Sequence, residues 1–265
     1  MKEANISECL QCRCPSKEMY LLMAKSCRWN FGEYDELIRI GFDHSELHTE
    51  FYDDIQILLA CKDHTGLVAF RGGHMMPRSM CDMDHFLMPF ENVDPGSKVH
   101  SFFLRGYNIY RQRLYKFCSD NRIDTLYCVG HSFGGCVAQM AAVDMGSDID
   151  TICITFGSPK VGDRWFARLF NEKVDEYIRY VVCDDPIPEF PLDKDYVHAG
   201  EATVIGPQLW RLKVLRKRIT YAIKKIIFGT PQKNFYCELL KDDDIMDQHD
   251  IVMYLVGIKE FLQIP

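Results

Sequence analysis

The chain has 265 residues, of which 47% are hydrophobic and 26% are charged, as is typical of soluble globular proteins. This composition excludes a disordered, collagen-like or coiled-coil protein, and the length suits one large α/β domain or two small ones. The formal net charge of −7 argues against general nucleic-acid binding, and the sequence has no uncharged apolar run of the length, about 18 residues, that crosses a membrane.

The sequence pattern changes near residue 54, where apolar runs typical of buried strands begin. Residues 17–24 have a helical pattern, and we assign residues 1–50 to an N-terminal helical extension packed on a main domain over 51–265. The segments IQILLACKD and LVAFRG, joined by a short turn, predict a hairpin of two buried strands. A Met-rich loop over 74–90 follows them.

Strands and helices alternate in the rest of the chain. Aromatic and leucine side chains recur at steps of three and four in a helix before the strand TLYCVG, namely Phe103, Tyr107, Tyr110, Leu114 and Phe117. Helices near 134–145 and 163–171 then alternate with the strands TICITF and EYIRYVVC. This order predicts an α/β fold with a mostly parallel sheet and helices on both faces. Reactive groups are expected at the carboxyl ends of the strands.

Twelve cysteines could suggest a disulfide framework, but several of them lie inside apolar runs, where a thiol packs as a small hydrophobic group. These are Cys61, Cys128, Cys136, Cys153 and Cys183. No secretory signal is visible at the N-terminus, so we expect an intracellular protein, cytoplasmic or at the membrane periphery, without disulfides. Cys9 and Cys12 have a zinc-like spacing but no second ligand pair nearby, and we predict no metal site.

The segment Gly130-His131-Ser132-Phe133-Gly134 fits the pattern GxSxG between a strand and a helix. Such a turn strains the serine and projects its hydroxyl, and the glycines let strand and helix approach closely. The helix N-terminus then presents the Phe133 backbone N–H to a developing oxyanion. A glycine-rich turn with a capping serine is the structural alternative.

A serine hydroxyl becomes a nucleophile only when a base takes its proton, and in α/β-hydrolases an acid and then a histidine follow the serine along the chain. Asp184 and Asp185 both follow the strand EYIRYVVC, and Asp185, directly before Pro186, is favoured. Only His198 and His249 lie further along. His249 is favoured because it starts an apolar-faced helix, whereas His198 suits a structural hydrogen bond.

Five blocks of the sequence stand in the order that is found in one lipase family. VAFRGG resembles the family's FRGT strand, VHSFF its VHxGF, GHSFGG its GHSLGG, ITFGSPKVGD its TFGSPRVG, and DDPIPEFP its DPVPRLP. The chain thus resembles the fungal-type (class 3) lipases over about residues 50–262, which implies the α/β-hydrolase fold and places the acid on Asp185. The resemblance also implies an oxyanion hole of the Gly73 and Phe133 backbone N–H groups. Gly73 replaces the family's Thr or Ser, and His249 follows Asp-Gln instead of standing in DHxxY.

What the resemblance implies is a serine lipase or esterase that hydrolyses carboxylic esters of lipids, acylglycerols above all, through an acyl-enzyme. Ser132, Asp185 and His249 would form its triad, and neither a cofactor nor a metal is needed. A phospholipase A1 or a mono- or diacylglycerol lipase is the alternative among enzymes. A catalytically weak lipase-like scaffold protein is the alternative from another class.

Two further segments bear on contact with lipid. Residues 75–90, rich in flexible Met, occupy the place of the family's lid, although an ordinary loop would also fit the pattern. Residues 209–229 contain seven Lys or Arg and no acid, and they predict an amphipathic helix. This helix would contact an anionic membrane or pack its apolar face on the core.

Overall fold

A seven-stranded sheet forms the centre of the computed structural model, which describes residues 23–25, 27, 44–49, 56–71, 86–183, 185–206 and 249–264. From one edge to the other, the strands of this sheet are β1 (His44–Thr49), β2 (Gln56–Lys62), β3 (Thr65–Phe70), β6 (Thr125–His131), β7 (Asp150–Phe156), β8 (Glu176–Val182) and β9 (Ala202–Ile205). β2 is antiparallel to both β1 and β3, whereas the pairs β3–β6, β6–β7, β7–β8 and β8–β9 are parallel. The predicted mostly parallel sheet is therefore confirmed.

The antiparallel end of the sheet matches the predicted hairpin. β2 and β3 pair from Lys62 opposite Thr65 to Ile57 opposite Phe70, so that only two residues form the turn. β1 lies before residue 51, where we placed the start of the main domain, yet it pairs with β2 as the edge strand of the sheet. The β1 sequence, HSELHT, is mostly polar and lacks the apolar run of a buried strand, which is why the pattern of residues 1–50 did not reveal this strand.

Apart from a short helix at Met23–Lys25, four α-helices accompany the strands in the part of the chain that the structure describes: α1 (Ser101–Asp120), α2 (Phe133–Met145), α3 (Arg164–Lys173) and α4 (Ile251–Leu262). The first three agree with the predicted helices. α4 begins two residues later than expected, because the side chain of Asp250, not His249, caps it by accepting a hydrogen bond from the Val252 N–H at 2.8 Å. His249 therefore lies in the loop just before the helix.

Both faces of the sheet are buried against helices, as the long apolar strand patterns require. On one face, α1, α2 and α3 pack in a core that includes Phe103, Leu114 and Phe166. On the other, α4 packs with Tyr254 and Ile258 against strand residues such as Val129. The central strands are thus fixed from both sides, which gives their carboxyl ends a defined position.

Asp144 links α1 to α2 inside the first core. Its buried carboxylate accepts hydrogen bonds from the hydroxyls of Tyr107 and Tyr115 and from the Arg111 Nε–H at 2.6 Å. A carboxylate can be buried here because three donors replace the water that it loses. The network holds α2, whose N-terminus follows Ser132, at a fixed distance from α1.

Several predicted segments differ in the structure or lie outside it. The proposed lid, 75–90, ends in β4 (Leu87–Phe90), which pairs with β5 (Asp94–His100) in a separate hairpin, while its first eleven residues lie outside the described residues. Only Met23–Lys25 of the N-terminal helical pattern is described, as a short helix, and the basic segment 209–229 lies outside. No helix in the described part of the chain combines the length and apolarity needed to span a membrane.

Candidate active site

Ser132 occupies a sharp turn between β6 and α2. Its backbone has φ 57° and ψ −128°, a conformation that L-residues rarely adopt and that needs support from the surrounding fold. Glycine provides that support on both sides: a Cβ on Gly130 would lie 2.1 Å from the Gly134 carbonyl oxygen, and one on Gly134 would lie 2.1 Å from the Phe70 carbonyl oxygen. The GxSxG spacing is therefore what allows strand and helix to meet at the serine.

The structure brings Ser132, His249 and Asp185 together, although they come from three distant parts of the chain. His249 Nε2 lies 2.7 Å from Ser132 Oγ, and His249 Nδ1 lies 2.8 Å from Asp185 Oδ2. The carboxylate accepts from Nδ1–H, so Nε2 carries the lone pair that can accept the serine proton. All three side chains are buried, which shields this relay from competing water.

Asp185 has two additional donors that orient its carboxylate. The Tyr254 hydroxyl donates to Oδ2 at 2.5 Å, the same oxygen that His249 contacts, and the Ile187 N–H donates to Oδ1 at 2.9 Å. Burial raises the pKa of Tyr254 well above its ordinary value, so the phenol stays protonated and remains a donor. The sequence pattern placed Tyr254 on the apolar face of α4 and did not reveal this role.

His131, the second residue of the GxSxG segment, holds His249 from another side. Its Nε2–H donates to the His249 carbonyl oxygen at 2.7 Å, and the two rings stack with centroids 4.8 Å apart. Burial lowers the pKa of His131 well below its ordinary value, so the ring is neutral at neutral pH. Sequence reasoning treated this histidine as an ordinary core or surface residue, although its place beside the serine was the available signal.

The other predicted residues are placed as follows. Phe133 is the first residue of α2, where a backbone N–H has no acceptor within the helix and can face an oxyanion. Gly73 and the alternative acid Asp184 lie outside the described residues. The alternative base, His198, forms no hydrogen bond with Ser132 or Asp185. Its Nε2–H donates instead to the Pro188 carbonyl oxygen at 2.6 Å.

The arrangement can activate a hydroxyl for attack on an acyl group. Ser132 supplies the oxygen, His249 a proton acceptor within hydrogen-bond distance, and Asp185 the charge that stabilises the imidazolium formed when the proton moves. No group of three or more metal-ligating side chains is clustered in the described part of the chain. The chemistry of these donor and acceptor groups is proton transfer and nucleophilic attack.

Comparison with known proteins finds that the chain is similar to lipases. A family model described as "Lipase (class 3)" matches residues 67–194, which contain Ser132 and Asp185. Lipase A of Sodiomyces alcalophilus is 27% identical over 168 residues, which cover 47% of this chain and 39% of that protein. Secreted mono- and diacylglycerol lipase 2 of Gibberella zeae is 27% identical over 179 residues, which cover 54% of this chain and 44% of that protein. The chain thus spans less than half the length of these relatives.

Solved structures show the same fold. The crystal structure of a lipase from Rhizopus microsporus var. chinensis superimposes with a TM-score of 0.60 at 22% identity and covers 78% of this chain and 77% of that one. A Rhizomucor miehei lipase propeptide complex superimposes with the same TM-score, 0.60, at 24% identity over 72% of this chain and 66% of that one. At these identities the match concerns the fold.

Proposed function

We propose that the chain is a member of the class 3 lipase family, whose model matches residues 67–194, and that it is a serine hydrolase of carboxylic esters. The observation that carries the proposal is the continuous hydrogen-bonded relay from Ser132 through His249 to Asp185. A protein that used this fold only as a scaffold would have no need to keep these three side chains buried and in register.

In the proposed reaction, the Ser132 hydroxyl transfers its proton to His249 Nε2 while its oxygen attacks the ester carbonyl. The tetrahedral oxyanion is stabilised by the backbone N–H groups of Phe133 and Gly73. His249 then gives its proton to the departing alcohol, and an acyl-enzyme remains. Water, activated by the same histidine, releases the carboxylic acid and restores Ser132.

We propose lipid esters, and acylglycerols in particular, as the substrate class. The names of the relatives support this choice, since they include lipases of mono- and diacylglycerols. Because the serine relay does not contact the alcohol portion of an ester, it does not distinguish glycerides from phospholipids. Parallel assays on monoacylglycerol, diacylglycerol, triacylglycerol and phosphatidylcholine separate the proposed substrate class from phospholipase A1 activity.

The decisive experiment is Ser132→Ala. We expect this variant to lose hydrolysis of short-chain p-nitrophenyl esters and labelling by a fluorophosphonate probe, because both require an activated serine. The folded protein should survive, as Ser132 Oγ contributes one hydrogen bond. Ser119→Ala, at an exposed serine of α1, is the matched control. Equal labelling of the Ser132→Ala variant would refute the assignment of the nucleophile.

We further propose an intracellular location with peripheral membrane contact. The thiols of Cys128, Cys136 and Cys153 are buried in the core without a disulfide, and this supports a reducing compartment, although several relatives carry the word "secreted" in their names. The seven basic residues of 209–229 support contact with anionic lipid. A measurement of binding to anionic vesicles tests this contact.

A further inference from the structure

A cavity of about 410 Å³ has Asp185 as part of its wall. β8 contributes Arg179 to its wall, the loop after β7 contributes Lys160, and the segment after the 3₁₀ turn (Ile187–Glu189) contributes His198. Ser132 is absent from the described residues that line this cavity. The cavity is therefore separate from the place where an ester would be attacked.

Arg179 is the unusual residue of this cavity. This residue is only 8% exposed, and its Nε has no hydrogen-bond partner among the described residues. Burial lowers the pKa of this guanidinium, which means that the folded chain disfavours its charge. A buried, unpaired cation of this kind destabilises a protein unless a partner compensates it.

Lys160 and His198 add polar atoms with spare capacity. Lys160 Nζ donates to the Pro191 carbonyl oxygen at 3.0 Å, which uses one of its three hydrogens, and burial lowers its pKa although Glu189 opposes this effect. Burial, with the nearby Arg179, lowers the pKa of His198 to about 4, so its ring is neutral at neutral pH. Its Nδ1 is then a buried acceptor with no partner in the described part of the chain.

Asp185 and Glu189 line the cavity, but no carboxylate of the described residues forms an ion pair with Arg179. Both carboxylate oxygens of Asp185 already accept hydrogen bonds, from His249, Tyr254 and the Ile187 N–H. Glu189 also lines the cavity but is exposed to solvent, where water screens its charge. The buried part of the wall keeps an excess of hydrogen-bond donors and positive charge.

We propose that this cavity binds a small molecule through a carboxylate or phosphate group, held between Arg179 and Lys160. Arginine matches such oxyanions with paired N–H donors, and the His198 Nδ1 atom can accept from a hydroxyl of the same ligand. The volume falls within the range of small-molecule sites, roughly 300–1,000 Å³. The proposal does not depend on ester hydrolysis.

The test is thermal unfolding of the full chain in sodium phosphate, in sodium butyrate, and in sodium chloride of equal ionic strength. We expect a Tm about 3 °C higher in 20 mM of the preferred oxyanion than in chloride, because a ligand that binds only the folded state stabilises it. Phosphate and butyrate distinguish a phosphate from a carboxylate as the preferred group. Calorimetric titration with the same two salts measures the affinity directly.

Arg179→Met separates a binding role from a structural one. In chloride we expect this variant to have an equal or higher Tm, since it removes an unpaired buried charge, and in phosphate or butyrate we expect the specific rise to vanish. General salt stabilisation would act on both proteins and therefore cancels in the comparison. Arg164→Met, at an exposed arginine of α3, is the matched control and should keep the full rise.

A second variant, Lys160→Met, should weaken oxyanion binding about tenfold. The proposal is overturned if neither anion raises the wild-type Tm above its value in chloride and calorimetry detects no binding. It is equally overturned if Arg179→Met lowers the Tm in chloride while the anion effect persists, because Arg179 would then have a structural role.

Discussion

Replacement of Tyr254 by Phe tests how far the active site depends on the orientation of Asp185. The change removes one oxygen, the hydroxyl that donates to Asp185 Oδ2 at 2.5 Å, and leaves the buried ring in place. Two donors to the carboxylate remain, the His249 Nδ1–H and the Ile187 N–H. The substitution therefore loosens the carboxylate without removing it.

The expected size of the effect follows from these contacts. A hydrogen bond to a buried charged group contributes about 1.5–3 kcal/mol to stability, which corresponds to a Tm about 3–5 °C lower for a chain of this length. For activity we expect kcat/KM for a p-nitrophenyl ester to fall about tenfold, or about 1.4 kcal/mol of transition-state stabilisation. This loss is far smaller than the roughly ten-thousandfold loss expected on replacing the acid itself by its amide.

The assay pairs ester hydrolysis with thermal unfolding on the same preparation. Tyr196→Phe is the matched control: this tyrosine is also buried, but its hydroxyl has no partner among the described residues, so its loss should leave both kcat/KM and Tm unchanged or slightly raised. If Tyr254→Phe behaved like Tyr196→Phe in both measurements, the hydroxyl would not orient Asp185, and our account of the site would be wrong on this point.

Two further predictions concern the turn at the serine and the response to acid. Gly130→Ala should yield no soluble active protein, because its Cβ would lie 2.1 Å from the Gly134 carbonyl oxygen, whereas Gly96→Ala, with a nearest atom at 3.4 Å, should express and hydrolyse esters normally. His198 has a pKa of about 4 in the folded chain against about 6.5 when unfolded, so on acidification the unfolded state binds a proton first. The stability that the neutral His198 contributes above pH 6.5 is therefore lost as the pH falls towards 4. Denaturant titrations at pH 7 and pH 4 measure how far the free energy of unfolding falls with acid. We expect this fall to be up to about 3 kcal/mol smaller in His198→Gln than in the wild type, and equal falls would contradict the buried neutral state of His198.

The parts of the fold that the sequence predicted are those with a local pattern. The spacing of Phe103, Tyr107 and Tyr110 identifies α1, since a helix buries every third or fourth residue. β1 and β9 escaped prediction because neither carries the apolar run of a buried strand: β1 is mostly polar, and β9 has only four residues. β4, the first strand of its hairpin with β5, lies at the end of the segment 75–90, which the Met-rich composition and the family resemblance marked as a lid.

In the candidate site, the sequence predicted the three side chains that we propose as the reacting groups, but not the side chains that hydrogen-bond to them. Ser132, Asp185 and His249 follow from the motif, the chain order and the small number of downstream histidines. Tyr254 and His131 could not be assigned in the same way, because a tyrosine on an apolar helix face and a histidine at the end of a strand are compatible with simple burial. Only the packing of α4 against the sheet brings their polar atoms to Asp185 and His249.

The three-part origin of the relay also affects how the protein reaches its native state. Ser132 and His249 are 117 residues apart, and Asp185 and His249 are 64 apart, so their contacts form only after long loops have closed. Secondary structure can appear in the chain well before these contacts exist. During refolding, reactivity towards a fluorophosphonate should therefore return later than the helical circular dichroism signal, which makes probe labelling a reporter of completed topology.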